Sequence, residues 1–306
     1  MTAAISLEKV AKHYGALAAV EDVTLELGEG QTVALVGHNG AGKTTLFKLM
    51  LGLTRSSGGT IRVLGADPLS PDGQQARLEI GYLPENVVFS SALTGLETLQ
   101  FYAKLKRRPA SECTALLERV GLAHAARKRV ATYSKGMRQR LGLAQAVLGA
   151  PRLLFLDEPT TGLDPLVRHS FYALVGELRD RGVTALLSSH ALSELEARID
   201  QVVIMHRGKM VTAGSLDTLR NLAGLPVRFQ LTVAENHRAD AIYALAPLAT
   251  STESHNGTIE LTCAGARKME TLRRIASIPQ ILDASLVEPS LDDIYASFLR
   301  GKDGGL

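Results

Sequence analysis

A glycine-rich segment, GHNGAGKTT at 37–45, constrains this chain more than any other stretch. It follows a short apolar, β-branched run over Thr32–Val36 and leads into a helical pattern from Lys43 to about Leu51. A strand, a glycine loop and a helix in that order form the first half of a βαβ unit. Gly37, Gly42, Lys43 and Thr44 occupy the fixed places of G-x-x-x-x-G-K-[ST], the pattern of a phosphate-cradling loop. Phosphate oxygens need several N–H donors within reach. Side chains must therefore be absent where the backbone wraps them, and the helix that follows turns its positive end toward the anion. Gly37, His38, Asn39, Gly40, Ala41, Gly42, Lys43, Thr44 and Thr45 are the candidate binding residues. Lys43 would neutralise β/γ-phosphate charge as a point cation, which makes it a candidate catalytic residue, and the Thr44 hydroxyl would complete a magnesium shell.

The second chemical element is LLFLDEPTTGLDP at 153–165, an apolar strand ending in two acids and stopped by a proline. Acids at the carboxyl end of a strand lie where open α/β sheets bind ligands. Asp157 is suited to hold magnesium directly or through water, and Glu158 to polarise a water for in-line attack on the γ-phosphorus. His190 closes LLSSH at another strand end, where a neutral imidazole would contact the γ-phosphate and the attacking water. Tyr14 is suited to stack on an adenine face, the alternative being a surface tyrosine in a hairpin turn.

The remaining pattern organises these motifs. Ile5 and Leu7, then Val23, Leu25 and Leu27, predict two early strands, with a turn at 28–30. From about 86 to 150 the pattern is helical, with Leu96, Leu99, Tyr102 and Leu105 on one face. Strands at 153–156 and 184–188 flank a helix at about 165–181, the alternation of a parallel sheet. After 224 the style changes: Val227, Phe229, Leu231 and Val233 alternate, a helix follows at 237–247, and Ile259, Leu261 and Cys263 alternate again. A small βαββαβ unit fits this stretch, with Ser290 capping a last helix through Asp293 and a loose tail at 301–306.

The 306 residues allow roughly two domains. A net charge of +3 is too small to single out nucleic acid as a partner. Cys113 and Cys263 show no metal or disulfide spacing and read as reduced thiols. The first residues meet charge by Glu8 and Lys9, unlike a signal peptide, and no run of about 18 uncharged apolar residues occurs.

YSKGMRQR at 133–140 resembles the signature segment of ABC ATPases. Tyr14, the phosphate loop, this signature, the acids at 157, Gly162-Leu163-Asp164 and His190 follow in that family's order, over about residues 4–220. The resemblance implies an α/β fold of the P-loop NTPase ABC type. A RecA-like core, an antiparallel β subdomain and a helical subdomain would occupy 1–223, with a small α+β domain over 224–300. It implies ATP and Mg2+ as ligands and a head-to-tail homodimer, in which Ser134 and Gly136 act on the other copy's γ-phosphate. Tyr133, Lys135 and Met137 replace the family's common Leu, Gly and Gln. Glu85 stands where a glutamine usually senses magnesium and contacts the membrane subunit.

One phosphate loop and no long heptad insertion argue against a ribosome-acting or chromosome-organising ATPase. A lone cassette would instead drive a separate membrane permease from the cytoplasmic face of the inner membrane. The stretch 86–107 is a docking candidate for that permease, though its apolar side chains equally suit internal core. His38, GYLPENVVF at 81–89, the signature block, GLPVR at 224–228 and PSLDDIY at 289–295 resemble the ATP-binding subunits of nitrous oxide reductase maturation transporters. That resemblance implies a permease, a periplasmic partner and service to a copper-sulfur centre, with no copper bound by this chain. The alternatives are another ABC-2-type exporter of drug, lipid or polysaccharide, or a non-transport ABC ATPase. The C-terminal region carries no chemical motif and could reinforce the dimer, regulate it or be purely structural.

Overall fold

The computed structural model describes residues 3–189, 192–255 and 258–300. The chain separates into two compact units, 1–213 and 214–306.

The first unit holds two sheets. β1 (Ala3–Tyr14) and β2 (Leu17–Gly28) form a long antiparallel hairpin, joined across β1 by β4 (Gly58–Val63). The other sheet has the order β5-β6-β7-β3-β8-β9, from β3 (Thr32–Val36), β5 (Ile80–Leu83), β6 (Leu153–Leu156), β7 (Thr184–Ser188), β8 (Gln201–His206) and β9 (Lys209–Gly214). β5, β6, β7, β3 and β8 run parallel. Every residue of β3, β6 and β7 is buried, as strands covered on both faces require.

α1 (Lys43–Met50) follows the glycine loop and buries Leu46, Phe47, Leu49 and Met50 in one apolar cluster with side chains of both sheets. Phe47 meets Phe155 of β6 edge to face, with ring centroids 5.7 Å apart. α2 (Pro71–Ala76) is a short helix capped by Ser70.

α3 (Gly95–Leu105), α4 (Glu112–Arg119) and α5 (Lys135–Val147) make the helical block. Thr94 and Glu97 start α3 with a reciprocal capping box. The face of α3 differs from the expected stripe. Gly95, Thr98, Leu99 and Ala103 are buried, while Leu105 is exposed. The i, i+4 row through 95, 99 and 103 turns inward because two small residues let the helix approach its neighbours closely; Gly95 lies against the Tyr133 ring. α6 (Pro165–Asp180) begins at Asp164, whose carboxylate accepts from Val167 N. Among the described residues, no helix is long and apolar enough to cross a membrane.

The second unit begins ahead of the change of pattern at 224, because α7 (Leu216–Ala223) packs with α10 (Leu291–Arg300). Between them lie β10 (Val227–Val233), α8 (Arg238–Leu245), β11 (Ser251–His255), β12 (Thr258–Cys263), α9 (Lys268–Ala276) and β13 (Ile281–Val287). The sheet is antiparallel, in the order β11-β12-β10-β13. Alternate residues of β10 and β12 pack with Ala241, Leu245 and Ile275 into a separate core. Ser290 donates through N and Oγ to Asp293 Oδ2 and accepts from Asp293 N, the expected cap. Cys113 and Cys263 are free and buried.

Candidate active site

The loop between β3 and α1 sits at the carboxyl end of β3, and two glycines show why it must be bare. A Cβ at Gly37 would stand 2.6 Å from Met205 O and 2.8 Å from Ala41 Cβ. Gly42 has φ +100°, and a Cβ there would stand 2.4 Å from Ala19 O. The loop is closed by Ala41 N donating to His38 O at 3.1 Å, and Gly208 N ties it to the β8–β9 turn through Ala41 O.

Lys43 is buried, and its Nζ donates to Gly37 O and His38 O. Burial lowers its pKa below the ordinary lysine value, opposed by the charges of Glu158, Asp157 and Glu85. The ammonium is thus held by weak neutral acceptors in a partly desolvated place. Phosphate oxygens would be stronger partners.

Thr44 Oγ1 donates to Asp157 Oδ2 at 3.0 Å, across the gap between α1 and the end of β6. Asp157 Oδ1 accepts from Ser188 Oγ at 2.7 Å, and Glu158 N donates to the same hydroxyl at 2.8 Å. Ser188, the last residue of β7, therefore fixes both acids. Asp157 N donates to Leu83 O at 2.8 Å. Glu158 has φ +48°, an uncommon conformation for a residue with a side chain, and such strain is kept where surroundings over-determine it. Both carboxylates are buried. A hydroxyl and a carboxylate meeting beside a phosphate loop are hard oxygen donors, which fits magnesium.

One cavity of about 430 Å³ is lined by Tyr14, the loop residues His38, Asn39, Gly40, Ala41, Gly42, Lys43, Thr44 and Thr45, and Glu85, Asp157 and Glu158. The fold therefore gathers most of the expected residues in one place. Gly37 supports the cavity through its carbonyl on Lys43. Tyr14 is 47% exposed, ends the β1–β2 hairpin opposite Leu17, and carries Lys12 Nζ 4.7 Å from its ring centroid. His190 lies outside the described residues. A smaller cavity of about 300 Å³, between α5 and α6, holds none of these groups.

Ser134 and Gly136 do not line the cavity of their own chain. Ser134 is exposed at the start of α5, its Oγ accepting from Met137 N at 3.2 Å. The departures in the signature have local partners: Tyr133 is buried with its hydroxyl donating to Ala125 O at 2.8 Å, and the Lys135 side chain lies against Gly162. Two residues of the site escape sequence reasoning. Ser188 sits in a run of serines that could face either way, and Gln139 is hidden among the charges of the signature helix. Gln139 is buried and its Nε2 donates to Pro159 O at 2.9 Å, so α5 is tied directly to the loop that carries the acids.

A family profile described as ABC transporter matches residues 20–161. Among curated relatives, the uncharacterized ABC transporter ATP-binding protein all4389 of Nostoc is 45% identical over 202 residues, 64% of this chain. This chain spans only 59% of that protein's length. Daunorubicin resistance ATP-binding protein DrrA3 of Streptomyces coeruleorubidus is 33% identical over 98% of this chain and 96% of its own. Bacitracin transport ATP-binding protein BcrA of Enterococcus faecalis is 33% identical over 99% and 97%. Of solved structures, an ATP binding subunit of an ABC transporter superposes with TM-score 0.68 at 34% identity, covering 72% of this chain and 93% of that one. An ATP-binding cassette in a dimeric post-hydrolysis state with ADP and phosphate shares the fold, with TM-score 0.65 at 21% identity over 69% of this chain and 98% of that one. With likeness running over nearly the whole of DrrA3 and of this chain, and the phosphate loop and acids gathered in one cavity, the chain belongs to the ATP-binding proteins of ABC transporters.

Proposed function

We propose that two copies of this chain bind MgATP, close head to tail, hydrolyse it and reopen, driving a separate membrane permease. The carrying observation is the linked set Thr44, Asp157, Ser188 and Glu158 at the cavity that also holds Lys43. Lys43 exchanges its carbonyl partners for β- and γ-phosphate oxygens, and Tyr14 flanks the adenine. Thr44 and Asp157 would hold the magnesium ion, with Glu85 nearby, and the bound ion would supply charge neutralisation of the phosphates. Glu158 takes the proton of the attacking water as the bond between γ-phosphorus and the bridging oxygen breaks and ADP leaves. His190 orients that water.

Ser134 and Gly136 stand at a helix N-terminus and do not line the cavity of their own chain. Supplied by a second copy, that N-terminus would meet the γ-phosphate. The permease docks along 86–107, where Val88, Phe101 and Leu105 are exposed while Thr98, Leu99 and Ala103 of the same stretch are buried. That division of α3 supports an outward apolar side reserved for a partner. The assembly would sit on the cytoplasmic face of the inner membrane.

Glu158→Gln is expected to keep ATP affinity, accumulate an ATP-bound dimer in gel filtration and lose turnover by roughly 10² to 10⁴. Unchanged turnover would remove Glu158 from the role of base.

For the cargo, the residues resembling nitrous oxide reductase maturation transporters support service to that enzyme's copper-sulfur centre, together with a periplasmic partner. The near full-length likeness to DrrA3 and BcrA favours a second reading, another ABC-2-type exporter with a drug as its cargo. The copper content and absorption spectrum of nitrous oxide reductase from a strain carrying Glu158→Gln decide between them. A reductase lacking its copper-sulfur centre is expected, and a fully loaded one would leave the export reading.

A further inference from the structure

The turn at Glu158 and Pro159 is held in an unfavourable shape from two sides. Glu158 has φ +48°, and the proline that follows narrows its choice of conformation further. A backbone of this kind relaxes unless its surroundings hold it. On one side Glu158 N donates to Ser188 Oγ at 2.8 Å, at the end of β7. On the other, Pro159 O accepts from Gln139 Nε2 at 2.9 Å. Proline has no N–H, so the carbonyl is the backbone group by which residue 159 can be hydrogen-bonded.

Packing does not replace that second bond. The cavity of about 300 Å³ between α5 and α6 reaches both Gln139 and Leu163, so the loop at 159–163 lacks close neighbours along part of that side. Gln139 is 4% exposed, a place where an amide is stable only when it is bonded. Leu141, Leu143 and Ala144 of the same helix are buried as apolar residues, whereas position 139 buries an amide and directs it at one carbonyl. The start of α5 meets the same loop. Lys135 lies against Gly162, and a Cβ on Gly136 would stand 3.7 Å from Leu163.

We propose that Gln139 is a positioning residue for Glu158: by holding Pro159 O it keeps the carboxylate where it takes the proton of the attacking water. Gln139 does not line the cavity that holds Lys43, and it acts through the strained turn alone. The bond also joins the base to the helix whose first residues include Ser134 and Gly136. In a head-to-tail pair, an α5 start held by one nucleotide would thus steady the base that serves the other. The inference rests on the reading of Glu158 as the base, and the test separates the two.

ATP turnover and ATP binding of the full chain test it. Gln139→Leu is expected to lower kcat roughly 10- to 100-fold, with ATP affinity within about threefold of the native chain. Added to Glu158→Gln it has no further effect on residual turnover, because a residue that acts through a carboxylate is silent once that carboxylate is gone. Gln139→Glu separates the hydrogen bond from packing within a single folded sample. Burial raises the pKa of a carboxyl. Below that pKa the neutral acid donates to Pro159 O, and above it the carboxylate repels that oxygen. Turnover of Gln139→Glu therefore falls as pH rises through that pKa. The native chain and Gln139→Leu, which carry the same Lys43, Arg138, Arg140, Asp157 and Glu158, give the baseline. Native kcat in Gln139→Leu, an equal further loss in the Glu158→Gln background, or a Gln139→Glu profile parallel to the native one would each overturn the proposal. Native turnover in Glu158→Gln would instead overturn the reading of the base.

Discussion

The ammonium of Lys43 lies between two sets of oxygens, the carbonyls of its own loop and the carboxylates of Asp157, Glu158 and Glu85. Burial works against its charge, so it gains most from an anion that replaces the carbonyls. Lys43→Ala is expected to cost about 1.5 to 3 kcal/mol of ATP affinity, roughly 10- to 150-fold. Titration calorimetry of the full chain checks this, and unchanged affinity would mean that the ammonium does not reach phosphate. Residue by residue, the glycines, Lys43, Thr44 and the two acids were legible because each type does one thing at one spacing. Ser188 was not. A hydroxyl at a strand end has many uses, and only the bonds to Asp157 and Glu158 N show which one it serves here.

Elements are tied together by single polar side chains at their ends. Gln139 joins α5 to the loop after β6, and Lys106, at the end of α3, donates to Ile80 O at 3.0 Å and Leu148 O at 3.2 Å. Lys106 thereby links α3, β5 and the end of α5. Burial, with a smaller effect from the charge of Arg108, pushes its pKa down from 10.5 to about 8. Below that value both folded and unfolded chains carry the proton and the burial penalty is fully present. Between about 8 and 10.5 the unfolded chain binds more protons than the folded one, so stability rises with pH across that window. The melting temperature of the native chain relative to Lys106→Met should therefore climb as pH rises through it. A constant difference would show that the ammonium is not desolvated. Helix and strand positions were legible from periodicity, and one start from its cap at Ser290, whereas the caps at Thr94 and Asp164 emerge only in the structure. The inward face of α3 was not, because Leu96, Leu99, Tyr102 and Leu105 make a plausible stripe and only close packing on small residues selects another.

At the scale of the whole molecule, each unit buries its own apolar core. Scanning calorimetry is expected to show two transitions, of which saturating MgATP raises the one belonging to residues 1–213, by about 2.7 kcal/mol of stability at a hundredfold excess over Kd. A single transition raised as a whole would contradict two units with separate cores. The order of the motifs, the alternation of strand and helix and the change of style after 224 were all written along the chain, since they depend on neighbours within a few residues. What joins them was not. Thr44 and Asp157 are 113 residues apart and meet at 3.0 Å only because β6 and β3 lie in one parallel sheet, in an order set by long-range pairing. By itself the sequence determined which local structures form and which chemical groups they carry, through backbone sterics, side-chain period and capping. Tertiary structure alone decided which of those groups touch and which surfaces stay open, because burial and hydrogen bonding across a sheet depend on residues that are distant in the chain.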